Sequence, residues 1–479
     1  MKLAKNIILN TDSYKVSMFK QYPQGTTGVY SYIESRGGRY DRTVFFGLQA
    51  FIKEYLLDPI TQSDIDIADE ILTAHGEPFN RAGWQYILDK HSGYLPVVIR
   101  AVSEGTVVPV KNVLATIENT DSECYWLTTW LETALLRAIW YPTTVATQSW
   151  KIRQVILEAL EKTGDPSLID FKLHDFGARG VSSLESAAIG GAAHLVNFMG
   201  SDTISGVLYA REYYDAGIAG FSIPAAEHST ITSWGRDGEV DAYRNMLNQF
   251  AKPGSIVAIV SDSYDIYNAV DKLWGETLRQ QVIDSGATVV IRPDSGDPDV
   301  VCRQLVQKLD AKFGSTVNSK GFKVLNNVRL IQGDGVNENT IRTILGSFQA
   351  YGYSADNIAF GMGGALLQQV DRDTQRFAMK CSAISVYERI AEPDGLGGRY
   401  ENVWRDVQKD PITDSGKKSK AGRVTLWKSG GEYVSAVARP TGWHDKAIGD
   451  FGEVLEEVYR DGKLIKEIDF ATVRANAAK

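Results

Sequence analysis

Apolar and polar positions along the 479-residue chain follow two grammars. The first 120 residues mix alternating, strand-like runs (GVYSYIES, LPVVIRAV, GTVVPV) with one helix, where Leu48, Phe51, Ile52, Tyr55 and Leu56 recur at helical spacing. The last 95 residues return to strands: GRVTLW and EYVSAVA flank KSGG, EEVY and KLIKEI flank Arg460-Asp461-Gly462, and both pairs read as hairpins. Between about 145 and 385 the pattern changes. Apolar runs end there in Gly/Asp/Ser loops and are followed by segments of helical period, as in FKLHDFGARG, FSIPAAEHST, SIVAIVSDSYD, TVVIRPDSGD, VRLIQGDGV and IAFGMGGALL. After the third of these, Ile266, Ala269, Val270 and Leu273 form a helical stripe.

This is the grammar of an α/β chain. Residues 146–385 are expected to form an irregular β/α barrel domain, and residues 1–145 with 386–479 a discontinuous α+β domain. In parallel β/α architectures the loops at the carboxyl ends of the strands converge on one face, so side chains distant in sequence share a site.

Composition narrows the class. Apolar residues at 43% and charged ones at 23% suit a globular fold, and a net charge of −8 offers no footprint for nucleic acid. Cys124, Cys302 and Cys381 lie far apart, outside metal-ligand spacing, which points to reduced thiols and a cytoplasmic protein. No signal peptide is expected, because the N-terminal apolar run is only four residues long with no small-residue cleavage pattern, and no membrane span, because nowhere do eighteen apolar residues run uninterrupted.

The loops carry the chemistry. PAAEHST holds His228, one of six histidines, beside Glu227. An imidazole titrates near neutrality, so His228 reads either as a core histidine bonded to backbone or as a base or phosphoryl-accepting nucleophile. SDSYD holds Asp262 and Ser263, which read as helix caps or as ligands of Mg²⁺-bound pyrophosphate. IRPDSGDPD offers Arg292 with Asp294, Asp297 and Asp299, either a turn or a grip on ribose hydroxyls, Mg²⁺ and an anionic or planar group. GMGGALL and QGDG present backbone amides suited to a phosphosugar, although G-x-G-x-x-G and G-x-x-x-x-G-K-[ST] are both missing.

Taken in order, TDSYK (11–15), KQYP (20–23), ENTDSECYWLTTWLET (118–133), LHDFGARG (173–180), GSDT (200–203), PAAEHST, VSDSYDIYNA (260–269), IRPDSG (291–296), IQGDGV (331–336) and GMGGALLQ (361–368) resemble the nicotinamide phosphoribosyltransferase family. The resemblance runs from near residue 7 to beyond 465. It implies a homodimeric enzyme that joins nicotinamide to 5-phosphoribosyl 1-pyrophosphate with Mg²⁺, with ATP consumed through phosphorylation of a histidine that matches His228.

By the same resemblance Phe176 stacks on the nicotinamide ring, Tyr14 covers its other face from the partner subunit, and Asp202 accepts the carboxamide N–H. Arg179 and Arg292 line that pocket, and Asp262 and Asp294 handle pyrophosphate, Mg²⁺ and ribose. Gly333, Asp334, Gly363 and Gly364 match the phosphate and ribose loops. Arg36, Arg372, Lys380, Lys409 and Lys417 match cations around the phosphates, which gives KDPITDSGKKSKAGR a role beyond that of a solvated basic loop. This chain departs from better-known animal members at Ala258 and Met362, where they carry serine, and in a shorter segment after Arg36. Three rival readings are a nicotinate phosphoribosyltransferase, a non-catalytic binding or signalling protein on the same fold, and a carboxylate-driven barrel hydrolase.

Overall fold

The computed structural model describes residues 5–391, 398–414, 417–437 and 451–479. Two compact units form. One comprises Met1–Thr147, Tyr213–Asp215 and Asp371–Lys479, and the other Gln148–Glu212 and Ala216–Val370.

The first unit is built on a seven-stranded antiparallel sheet. Its strands run in the order Gly398–Asp406, Phe377–Ala391, Thr26–Ser35, Val113–Asn119, Val97–Ala101, Glu456–Arg460 and Lys463–Leu464. Thr26–Ser35 is buried along nearly its whole length because strands pair with it on both sides, its polar Thr26, Ser31, Glu34 and Ser35 included. Residues 371–385, expected with the barrel, belong here instead, because Phe377–Ala391 pairs with Thr26–Ser35 from Ser35↔Phe377 to Thr26↔Val386. Both expected hairpins form, with Leu426 opposite Ser435 and Tyr459 opposite Leu464. Ala438, at the end of the first, lies outside the described residues, as do Ser415 and Gly416 in the basic loop.

The expected helix is Leu48–Tyr55. Two more, Gln62–Ala74 and Arg81–His91, were not anticipated. The first has a readable signal in Thr61 and Asp64, which form a capping box ahead of the buried stripe Ile65, Ala68 and Leu72. The second buries Trp84 and Ile87.

The second unit carries a six-stranded parallel sheet in the order Gly200–Ser201, Leu173–Asp175, Ile358–Met362, Val328–Gln332, Thr288–Arg292 and Ile256–Val260. Runs such as IVAIV and TVVIR are apolar almost throughout, as strands covered on both faces must be. The segment after Phe221 joins the two ends of the sheet. Ser201 N–H donates to Phe221 O (3.0 Å), Ala258 N–H to Pro224 O (3.0 Å) and Ala226 N–H to Ala258 O (2.9 Å), so the sheet closes into an irregular barrel. Pro224 has no N–H to give a ladder, which keeps this stave to isolated bridges.

The stripe after Asp265 is helical, but Ala269–Thr277 is wound as a π-helix rather than an α-helix. Apolar spacings of three and four residues fit both windings, so the pattern alone does not separate them. The π segment turns Trp274 inward, where it stacks on Tyr243 at 4.7 Å and donates to Ser261 Oγ at 3.1 Å, directly before Asp262.

Candidate active site

The site is assembled at the carboxyl ends of the barrel strands. His228 opens the short helix His228–Thr232, which Glu227 and Thr230 cap. Its Nε2 lies 3.0 Å from Asp262 Oδ1, and its Nδ1 3.9 Å from Asp294 Oδ2. The His228 side chain is 47% exposed, which excludes the core-histidine reading. Glu227 turns aside to accept the Ser229 hydroxyl.

Asp262 is not the helix cap. Asp265 takes that role, accepting Tyr267 N–H (2.9 Å) and Asn268 N–H (3.0 Å), so Asp262 is left to face His228 on one oxygen and accept the Ser295 hydroxyl (2.6 Å) on the other. Asp297 likewise caps the helix Pro298–Phe313, and Asp299 lies in its first turn, which leaves Asp294 as the acid of IRPDSGDPD aimed at His228. Burial pushes the Asp294 carboxyl above the usual carboxylate range; Asp262 and Asp334 add to the shift, while Arg292 and His228 oppose it.

Phe176 is held by glycines. Its backbone N–H donates to Met362 O (3.0 Å), and its ring lies so close to the neighbouring strand that a Cβ on Gly361 would meet Cε2 at 1.9 Å. A Cβ on Gly333 would lie 3.2 Å from the same atom and 3.4 Å from Asp294 Oδ1, which makes the ring and the acidic cluster neighbours. Buried Asp175 accepts Gly177 N–H (2.7 Å) and fixes the turn after Phe176.

Asp202 stands on the turn after Gly200–Ser201. Its Oδ1 accepts from Ser222 Oγ at 2.5 Å and lies 2.9 Å from His174 Nε2. Burial opposes ionisation of Asp202, but the hydrogen bonds from His174 and Ser222, with the nearby charges of His174 and Arg292, hold its carboxyl below the ordinary value. The Arg292 charge reaches both Asp202 and Asp294 while its Nη2 donates to Ala226 O (3.3 Å).

The chain belongs to the nicotinate phosphoribosyltransferase family. The model of that family matches residues 171–463, and the model of the nicotinamide phosphoribosyltransferase N-terminal domain matches residues 6–99. A relative from Xanthomonas campestris pv. campestris (strain 8004), described as nicotinamide phosphoribosyltransferase, is 57% identical over 481 aligned positions, covering 100% of this chain and 99% of its own. One from Acinetobacter baylyi (strain ATCC 33305 / BD413 / ADP1) with the same description is 32% identical and covers 87% of each. Among solved structures, the nicotinate-nucleotide pyrophosphorylase of Pyrococcus furiosus superposes with a TM-score of 0.62 at 16% identity, covering 100% of this chain and 97% of its own, which supports the fold. Membership makes the chain a pentosyl-transferring enzyme.

In this phosphoribosyltransferase the other expected residues divide between the two units. Gly363 and Gly364 open the short helix Gly364–Leu367, Arg179 stands exposed on the turn Ala178–Gly180, and Asp334 is exposed in the QGDG loop. Tyr14, Arg36, Arg372, Lys380, Lys409 and Lys417 all belong to the first unit. There Arg36, Arg372, Lys380 and Lys417 line one cavity of about 440 Å³ with Asp373 and Asp414, and Tyr14 is 57% exposed. Burial lowers the Lys380 ammonium below its usual range, and the charges of Arg36, Lys409 and Lys15 add to this while Glu132 opposes it. Arg376, whose φ is +47°, lines the same cavity and was not anticipated. Also missed were His174 and Ser222. Both lie in quoted runs, where a polar residue interrupting a barrel strand was the available signal. Among the described residues no helix is long and apolar enough to cross a membrane.

Proposed function

We propose that the chain transfers the phosphoribosyl group of 5-phosphoribosyl 1-pyrophosphate to nicotinamide, releasing nicotinamide mononucleotide and pyrophosphate, in NAD salvage. The observation that carries this reading is His174, which holds Asp202 ionised through its Nε2 and sets its own ring 5.2 Å from that of Phe176. A carboxylate accepts a carboxamide N–H and repels nicotinate, which carries like charge. The full-length relative described as nicotinamide phosphoribosyltransferase supports it.

The ring nitrogen of nicotinamide carries no proton, so its lone pair attacks ribose C1 without a general base. The bond from C1 to the pyrophosphate oxygen breaks, and its electron pair leaves with pyrophosphate. What the site must supply is orientation of the ring and charge complementary to a cationic ribosyl centre. Phe176 stacks on one face of the ring, and Tyr14 of a second copy covers the other in a homodimer. Arg292 and Arg179 line the pocket. Asp294 and Asp262 hold ribose hydroxyls and the leaving group, Gly333, Asp334, Gly363 and Gly364 receive the phosphosugar, and Arg36, Arg372, Lys380, Lys409 and Lys417 surround phosphates. Asp262 and Asp294 offer the oxygen donors that suit Mg²⁺, which when bound neutralises pyrophosphate.

ATP enters through His228. Asp262 accepts from Nε2–H, and that tautomer leaves the lone pair on Nδ1, which displaces ADP from the γ-phosphorus to give phosphohistidine. The phosphate adds negative charge near the ribosyl centre.

The test is to incubate the purified protein with Mg²⁺, phosphoribosyl pyrophosphate and nicotinamide or nicotinate, with and without ATP. Nicotinamide mononucleotide should form, faster with ATP. A product formed only from nicotinate would support the rival acid-using reading.

A further inference from the structure

Resting on the proposed nicotinamide site, we infer that His174 is a positioning residue that fixes which oxygen of Asp202 meets the substrate, and thereby sets the preference for a carboxamide over a carboxylate. His174 lies in the middle of the strand Leu173–Asp175, two residues before Phe176, so its imidazole and the Phe176 ring emerge side by side, with centroids 5.2 Å apart. An ionised carboxylate can only accept, so the imidazole presents Nε2–H to Asp202. The bond is 2.9 Å long, and the Ser222 hydroxyl donates to the same Oδ1 at 2.5 Å.

Two donors on one oxygen have two consequences. They lock the carboxylate rotamer, and they leave Oδ2 as the oxygen with capacity for a substrate N–H. They also stabilise the charged form against its burial, and it is this charge that excludes a carboxylate substrate.

The backbone is shaped around the imidazole. A Cβ on Gly200, on the adjacent strand, would meet His174 Nδ1 at 2.7 Å, so glycine there is what lets the ring lie against Asp202. Gly200 and Asp202 belong to the same GSDT turn, which couples the room for the donor to the placement of the acceptor.

The experiment compares wild type, His174→Leu, His174→Gln and Gly200→Ala, each checked by thermal melting, for kcat/KM with nicotinamide and with nicotinate. Loss of a charge-assisted hydrogen bond should lower the amide-to-acid ratio about 10-fold or more in His174→Leu, mainly through KM for nicotinamide. Glutamine can place an N–H near the Nε2 position and should recover most of the ratio. Gly200→Ala, which displaces the ring without deleting it, should shift the ratio in the same direction as leucine. An unchanged ratio in His174→Leu, or a loss in His174→Gln as large as in leucine, overturns the inference while leaving the nicotinamide reading intact. A wild-type protein that forms the mononucleotide from neither base, or shows no preference for the amide, overturns both.

Discussion

His228 and Asp262 face one another across two barrel loops, with Nε2 3.0 Å from Oδ1, a contact that favours a proton on Nε2 because an ionised carboxylate only accepts. If His228 is the phosphoryl acceptor, Asp262→Asn should reduce ATP stimulation by about 10- to 100-fold, because an amide does not hold the Nε2–H tautomer in preference to the other. His228→Ala should fold normally, since its side chain is half exposed, and should keep weak activity that ATP no longer raises. Initial rates with and without ATP check both; equal stimulation in His228→Ala contradicts the role.

Asp294 supplies a pH prediction. Burial raises its carboxyl above the usual range, so the group is ionised only above that raised value. If the ionised form holds ribose or pyrophosphate, kcat/KM should fall as pH drops through a value higher than that of an ordinary aspartate. Asp294→Asn should abolish this acid limb and most of the activity. A pH profile of both proteins measures it.

The Phe176 slot predicts unequal effects of two glycine substitutions. A Cβ on Gly361 would collide with the Phe176 ring at 1.9 Å, whereas a Cβ on Gly364 meets nothing within 4 Å. Gly361→Ala should therefore cost about 1–3 kcal/mol in stability and raise KM for the base, and Gly364→Ala should leave the melting temperature nearly unchanged. Melting curves and base titrations of the two variants provide the comparison.

Lys172 gives a stability prediction outside the chemistry. It is buried immediately before the strand Leu173–Asp175, which carries His174, and donates to Ala355 O (3.2 Å), Asp356 O (3.0 Å) and Ile358 O (3.0 Å). Burial lowers its ammonium from 10.5 to about 8. Between those values the unfolded chain binds the proton and the folded one does not, so this group makes stability rise with pH across that window. Below about 8 both forms are charged and its contribution is flat. Denaturant midpoints of wild type should climb from pH 8 toward 10 relative to those of Lys172→Met, which lacks the titrating group.

Much of this is legible in the sequence. Strands followed by polar loops marked the barrel because a parallel strand buried on both faces has to be apolar, and its loop is where water returns. FSIP reads as a strand but pairs only through isolated bridges at Phe221 and Ala225, since Pro224 has no N–H to give, and residues 377–385 of Phe377–Ala391 read as barrel because a buried strand looks alike in either sheet. The sequence offers Asp262 and Ser263 as caps of the next helix, whereas in the structure Asp265 caps it and Asp262 turns to His228. His174 and Ser222 were passed over because what matters in them is a shared oxygen on Asp202, and residues 20 or more apart in sequence give no local sign of that.

On the proposed reading, Asp202 selects an amide over an acid. The most direct measurement is the ratio of kcat/KM for nicotinamide to that for nicotinate in wild type and in Asp202→Asn. A large ratio is expected in wild type, falling about 100-fold or more when the charge is removed, through weaker use of the amide and relief of repulsion toward the acid. A ratio that is the same in both proteins would contradict it.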